Sequence, residues 1–156
     1  MNQKVEALRT NFKTLGIQGY LFSTSDAFQS EFTPPCARYV KYISNFSGSF
    51  GFCLVLEETA ALFVDGRYNV QAKQEVDLDI FQVFLYTPNT LKKFIEDFCP
   101  NHSIIGMDSW LLTWRDILFF QELFPSYIKL QTLEKNPIDY IWENKPAPSV
   151  SPVYEY

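Results

Sequence analysis

One histidine, His102, is present in 156 residues, and it falls in a Pro-Asn-His turn. A lone imidazole with no paired cysteines at ligand spacing gives no ordinary zinc site. A histidine-based triad would need that one residue, and no G-x-S-x-G accompanies it. No G-x-x-x-x-G-K-[ST] occurs either. Gly48-Ser-Phe-Gly51 is too short for a phosphate-binding loop, and a strand pattern follows it where a helix should begin. The three cysteines, Cys36, Cys53 and Cys99, form no C-x-x-C. An odd, scattered set reads as reduced thiols, and Cys53 inside an apolar run reads as core.

Positive charge is also scarce. Thirteen basic residues face eighteen acidic ones, for a net charge of -5 and a pI near 4.8. An acidic chain repels phosphate backbones, which disfavours nucleic acid as a partner. No apolar run approaches bilayer length, and the first sixteen residues carry mixed charge with no signal-peptide core. The expectation is a soluble, cytoplasmic chain with no membrane partner.

Core-forming material is plentiful. The chain is 47% hydrophobic and 17% aromatic, enough for one domain and against disorder. Val5, Leu8, Phe12 and Leu15 recur at helical spacing until Gly16. Residues 19–23 (GYLFS) read as a buried strand, 25–35 as a loop closing on Pro-Pro, and 36–44 as a short helix. Strands at 52–56 and 60–64 flank a hairpin-sized Glu57-Glu58-Thr59. A helix over 67–76, a strand at 81–86 and a helix from Thr87-Pro88 to residue 98 follow. A strand at 103–107, a helix opened by a Thr113–Asp116 capping box, and a strand at 127–130 complete the pattern. Alternation with one inserted hairpin predicts an α/β fold, a mixed sheet flanked by helices. Residues 1–142 form the domain. Residues 143–156, with Pro146, Pro148 and Pro152, read as a stiff linker towards a missing second domain.

Asp65 and Asp108 each close a predicted strand, the edge where open α/β sheets bind ligands. With Asp26 and Glu31 they would suit Mg²⁺-assisted phosphoryl or nuclease chemistry. As caps, the same aspartates would hold helix and turn N–H groups. Arg67 beside Asp65 is either a local ion pair or a guanidinium offered to a carboxylate or carbonyl. Phe46 and Phe50 flank a Gly-Ser loop and are expected to stay partly exposed as contact residues.

Three blocks in order, DAFQSEF (26–32), YISNFSGS (42–49) and DGRYNVQA (65–72), resemble the amino-terminal domain of the Xaa-Pro aminopeptidase (aminopeptidase P) family, related to creatinase and prolidase. IGMD (105–108) and NPIDYIW (136–142) extend the resemblance over nearly the whole chain. It implies a creatinase N-terminal domain with a ribonuclease-H-like motif. It also implies the long, three-domain branch, whose second domain would open at residues 152–156. In that family two divalent metals, typically manganese, sit in a C-terminal catalytic domain not contained here. This chain would then hold no metal, no cofactor and no catalytic residue. It would gate the active site, support a homodimer, and meet peptides with proline second. Asp26, Phe28, Phe46 and Arg67 would face substrate, and Asp65 with Arg67 would form a latch. The family commonly carries His where this chain has Phe28, Tyr where it has Phe32, and a small residue where it has Phe50. A free-standing binding module on the same fold is the alternative.

Overall fold

The computed structural model describes residues 3–152. Two strands at its centre are buried at every position: β2 (Gly51–Leu56) and β3 (Ala60–Val64). Their unbroken apolar sequence follows from coverage on both faces, since a strand with one wet face would alternate. The hairpin between them closes where Leu56 N–H donates to Thr59 O at 2.8 Å. On the other side of β2 lies β1 (Gly19–Ser23), and beyond β3 lies β4 (Phe81–Leu85). β5 (Ile104–Met107) and β6 (Lys129–Thr132) extend the sheet past β1. The strand order is β4-β3-β2-β1-β5-β6. Only β2 is antiparallel to its neighbours; the β3–β4, β1–β5 and β5–β6 pairs are parallel.

Alternate side chains divide the core into two layers. One face carries Tyr20, Phe22, Cys53, Val55, Leu62 and Val64. It is covered by α1 (Gln3–Thr10), α2 (Phe12–Leu15), α3 (Tyr39–Ser44) and α4 (Asn69–Glu75). The other face carries Leu21, Phe52, Leu54, Phe63 and Ile105 under α5 (Pro88–Phe98) and α6 (Trp114–Leu123). There Phe63 stacks on Phe52 and Phe84, with centroids at 5.0 and 5.3 Å, and meets the edge of Phe94 at 5.8 Å. No helix among the described residues is long and apolar enough to cross a membrane.

The capping box predicted at Thr113 forms: its hydroxyl accepts from Asp116 N–H while Asp116 Oδ2 accepts from Thr113 N–H at 2.9 Å. Several boundaries move by a residue or two, and four of the shifts have a clear local reason. The first helix breaks at Asn11, whose N–H bonds Leu8 O in a tightened turn, before Gly16 ends the second piece at φ 67°. The 36–44 helix splits at Arg38 into a 3₁₀ turn, Pro35–Ala37, and α3. Helix α4 starts at Asn69 rather than 67, because Asp65 holds Arg67 in a turn. The last strand begins at Lys129, since Ile128 N–H is committed to a turn with Pro125 O and only Lys129 N–H reaches across to Ser103 O.

The chain after β6 is tied back to the first face. Tyr42 stacks on Trp142 at 4.4 Å and donates its hydroxyl to Ile141 O at 2.8 Å. Lys145 donates to Tyr39 Oη and Asp139 Oδ1, both at 2.7 Å. Residues 153–156, the end of the predicted linker and most of the expected second-domain opening, lie outside the described residues.

Phe63→Ala removes the ring at the centre of the aromatic layer. Urea unfolding is expected to show a loss of about 3–5 kcal/mol; a loss below about 1 kcal/mol would contradict the packing described.

Candidate functional site

One edge of the sheet collects the carboxyl ends of β1, β3, β4 and β5. Because β2 runs the other way, its start, Gly51, falls on that same edge opposite Val64. The segments leaving this edge are 24–34 after β1, 65–68 after β3 and 108–113 after β5, and the 45–50 loop arrives at it. All five candidate residues, Asp26, Phe28, Phe46, Asp65 and Arg67, belong to these segments.

The 65–68 turn is a closed unit. Asp65 Oδ1 accepts from Arg67 N–H at 2.9 Å, the bond that starts an Asx turn. The guanidinium forks onto the same carboxylate, with Nε to Oδ1 at 3.2 Å and Nη2 to Oδ2 at 2.6 Å. The hydrogen bonds from Arg67 hold the Asp65 carboxyl below its ordinary pKa, and Asp65 raises that of Arg67. Arg67 also lies over the Tyr68 ring at 5.1 Å. Its side chain is 68% exposed, and Nη1 has no hydrogen-bond acceptor among the described residues. The guanidinium is thus oriented by one carboxylate and faces solvent at the sheet edge.

Tyr68 joins this turn to the Gly-Ser loop, its hydroxyl sharing a hydrogen bond with Ser49 Oγ at 2.7 Å. Glu75, on α4, accepts from Ser47 N–H and Ser47 Oγ, both at 2.7 Å. Burial pushes the Glu75 pKa up, and the Ser47 and Gln71 bonds outweigh it, leaving the group below its ordinary value. Phe46 does not keep the partial exposure expected of it. It is 1% exposed, lies beneath Gly48, and meets the Tyr68 ring edge-on at 5.7 Å. A Cβ on Gly48 would collide with the Phe46 ring, so the loop folds over that ring in this way only with glycine there. Phe50 is 40% exposed.

Asp26 is 2% exposed and organises its loop. Its Oδ1 accepts from Phe28 N–H at 3.0 Å and Ser30 N–H at 2.9 Å. Oδ2 is buried with no hydrogen-bond partner among the described residues. Burial pushes the carboxyl pKa up; the Ser30 and Phe28 bonds outweigh it, and the group lies below its ordinary value. With the backbone anchored, Phe28 and Phe32 project into solvent, 89% and 80% exposed. They line a groove of about 590 Å³ whose far wall is Pro146 and Pro148.

The aspartates do not converge. Asp108 caps Trp110 N–H through Oδ1 at 2.9 Å and accepts from Asn136 Nδ2 through Oδ2 at 3.2 Å. Asp65 serves Arg67 and Asp26 serves its own loop. Among the described residues no three His, Cys, Asp or Glu side chains are grouped to hold a metal ion. The donor set for Mg²⁺-assisted chemistry at Asp65 and Asp108 is therefore not assembled. Sequence reasoning did not single out Tyr68, Ser49 and Glu75 as the groups that tie the 65–68 turn and the Gly-Ser loop together. Tyr68 adjoins Asp65-Gly66-Arg67 and was visible there; Glu75 was not, because its partner lies 28 residues away.

Asp26→Ala is expected to cost about 1–3 kcal/mol by leaving two loop N–H groups without their acceptor. A carboxyl with a lowered folded pKa stabilises above its unfolded value and loses that contribution as pH falls through the folded one. The variant should therefore show a flatter decline in stability below roughly pH 4 than the parent. Arg67→Ala, at an exposed pair, should leave the unfolding midpoint nearly unchanged. Thermal unfolding between acid and neutral pH reads both.

The chain is similar in sequence and in fold to known proteins. A probable Xaa-Pro aminopeptidase P of Laccaria bicolor is 30% identical over 149 residues, covering 93% of this chain and 23% of its own. The X-prolyl aminopeptidase of Caenorhabditis elegans, described as a cytosolic enzyme with a di-nuclear active site, superposes with a TM-score of 0.80 at 25% identity. The match covers 93% of this chain and 26% of that one. The N-terminal domain of the cytoplasmic peptidase PepQ from Mycobacterium tuberculosis, 21% identical, shares the fold with a TM-score of 0.68 over 90% of this chain and 99% of its own. The chain thus spans about a quarter of the length of the two aminopeptidases. Residues 4–136 match the Creatinase/Prolidase N-terminal domain, and the chain belongs to that family.

Proposed function

We propose that this chain is the N-terminal, non-catalytic domain of a cytoplasmic, metal-dependent Xaa-Pro aminopeptidase. The parent releases the first residue of peptides that have proline second. The observation that carries this reading is a whole-domain match to relatives named as such aminopeptidases, of which this chain spans about a quarter. The order of β3-β2-β1-β5-β6, with β2 reversed, supports the ribonuclease-H-like relationship.

Two divalent metals, manganese by family resemblance, would activate water for the hydrolysis. The acidic residues here do not suit them, so the metal ligands belong to the catalytic portion of the parent. This domain's contribution is a wall. Arg67, held by Asp65 and braced on Tyr68, presents a fixed cation to a peptide carboxylate or carbonyl. Phe28 and Phe32, on the loop anchored by Asp26, offer apolar surface where the family commonly carries His and Tyr. Phe46 acts beneath the surface by shaping the Gly-Ser loop. A wall of this kind restricts access to short peptides, and two such chains pair in the parent.

The 156-residue chain is expected to show no hydrolysis of a Gly-Pro-Ala-type peptide with Mn²⁺, whereas the parent with its catalytic portion turns it over. Turnover by the short chain, or none by the parent, would refute the assignment. Within an active parent, Arg67→Ala should raise KM several-fold more than it lowers kcat; an unchanged KM would remove Arg67 from the substrate's path.

A further inference from the structure

The sheet edge carries a second cavity, separate from the Asp65–Arg67 turn and from the groove at Phe28. It encloses about 310 Å³, within the range of small-ligand sites, where β1 ends and β2 begins under α6. Its floor is aromatic and buried. Phe52 and Phe120 lie there with ring centroids 5.8 Å apart, and Tyr86 meets the Phe52 ring edge-on at 5.1 Å. Its rim is aromatic and open, since Phe50 and Phe119 are exposed.

One carboxylate, Asp116, joins these rings in the lining. Its Oδ2 is committed to the Thr113 cap. Oδ1 has no hydrogen-bond partner among the described residues, and the group has no ion-pair partner among them. No lysine or arginine among the described residues lines the cavity. The Tyr86 hydroxyl likewise makes no hydrogen bond among the described residues, and burial raises its pKa, with the Asp116 carboxylate adding to the rise.

This combination selects one kind of ligand. Ring faces carry negative potential, so rings gathered around a carboxylate favour a cation that sheds part of its water. An anion would meet like charge at Asp116. A neutral apolar ligand would cover that carboxylate without supplying a partner. The chain's net charge of -5 adds a general attraction for cations.

We propose that this cavity binds an organic cation, a guanidinium or alkylammonium group, seated at the Phe50 and Phe119 rings with Asp116 as its counter-ion and the Tyr86 hydroxyl as a further acceptor. A basic side chain of a peptide and a free amine both present that chemistry. The site goes beyond the peptidase assignment and is read without turnover, so either can fail alone.

Amide NMR titration of the unaltered chain tests it with three probes: N-acetyl-arginine amide, phenethylammonium, and N-acetyl-citrulline amide as the neutral isostere of the first. At least one cation should shift the signals of Gly51, Phe52 and Tyr86 saturably. The arginine probe should bind about tenfold more tightly than the citrulline one. Tighter binding of the arginine probe assigns the site to a peptide side chain, and tighter binding of phenethylammonium to a free amine. D116N removes the charge while leaving an oxygen for the Thr113 cap, and should weaken cation binding about fivefold or more. F50L with F119L keeps the rim apolar without ring faces, and should cut the preference for arginine over citrulline to about threefold or less. The arginine–citrulline comparison needs no variant, so a substitution that misfolds leaves the test intact. Equal binding of those two probes, shifts centred elsewhere in the domain, no saturable shift with either cation, or a folded D116N chain that binds as well as the unaltered one would each overturn the proposal.

Discussion

Everything at the functional edge depends on one strand running backwards. β2 is antiparallel to both neighbours, so β1 and β3 run in the same direction on either side of it. Their carboxyl ends then meet the start of β2. That places the Asp26 loop, the Gly-Ser loop and the Asp65–Tyr68 turn side by side, although Asp26 and Asp65 lie 39 positions apart in the chain. The reversal is stable because β2 is buried on both faces. A strand that satisfies its backbone within the sheet and its side chains in two apolar layers has no cheaper place to go.

The edge itself is held by polar bonds around the buried Phe46 ring. Glu75 and Tyr68 fasten the Gly-Ser loop to the α4 segment, and Asp26 fastens the loop after β1. Charged groups here are mostly consumed in that work. Asp65, Asp108 and Asp26 each accept backbone N–H groups, which is the helix- and turn-capping role open to any strand-end aspartate. Arg67 is the exception. One carboxylate aligns it without covering it, so a fixed and exposed cation remains. The exposed phenylalanines at 28 and 32 sit on the same edge.

This division suits a domain that accounts for about a quarter of its aminopeptidase relatives. Such a domain has no need to assemble a donor set of its own. The closing segment is fastened to the first face as well, Trp142 on Tyr42 and Lys145 on Tyr39.

Local chemistry was legible in the amino-acid order. Periodicity and punctuation placed six strands and most helices, because a doubly covered strand is an apolar run and a capping threonine sits beside the N–H groups it serves. The Asp65–Arg67 pair was legible for the same reason, its partners being two residues apart. What the order of residues left open was decided by contacts between distant segments. The fate of Phe46 is one example: a ring beside glycine and serine looks exposed until Tyr68 and Gly48 close over it. The attachment of Ser47 to Glu75 and the start of the last strand at Lys129 were settled in the same way. Hydrophobic patterns and caps act over a turn or a pleat, so the linear sequence records them. Sheet order, loop closure and the choice of which apolar side chains stay wet depend on which strands pair, and that is a property of the assembled core.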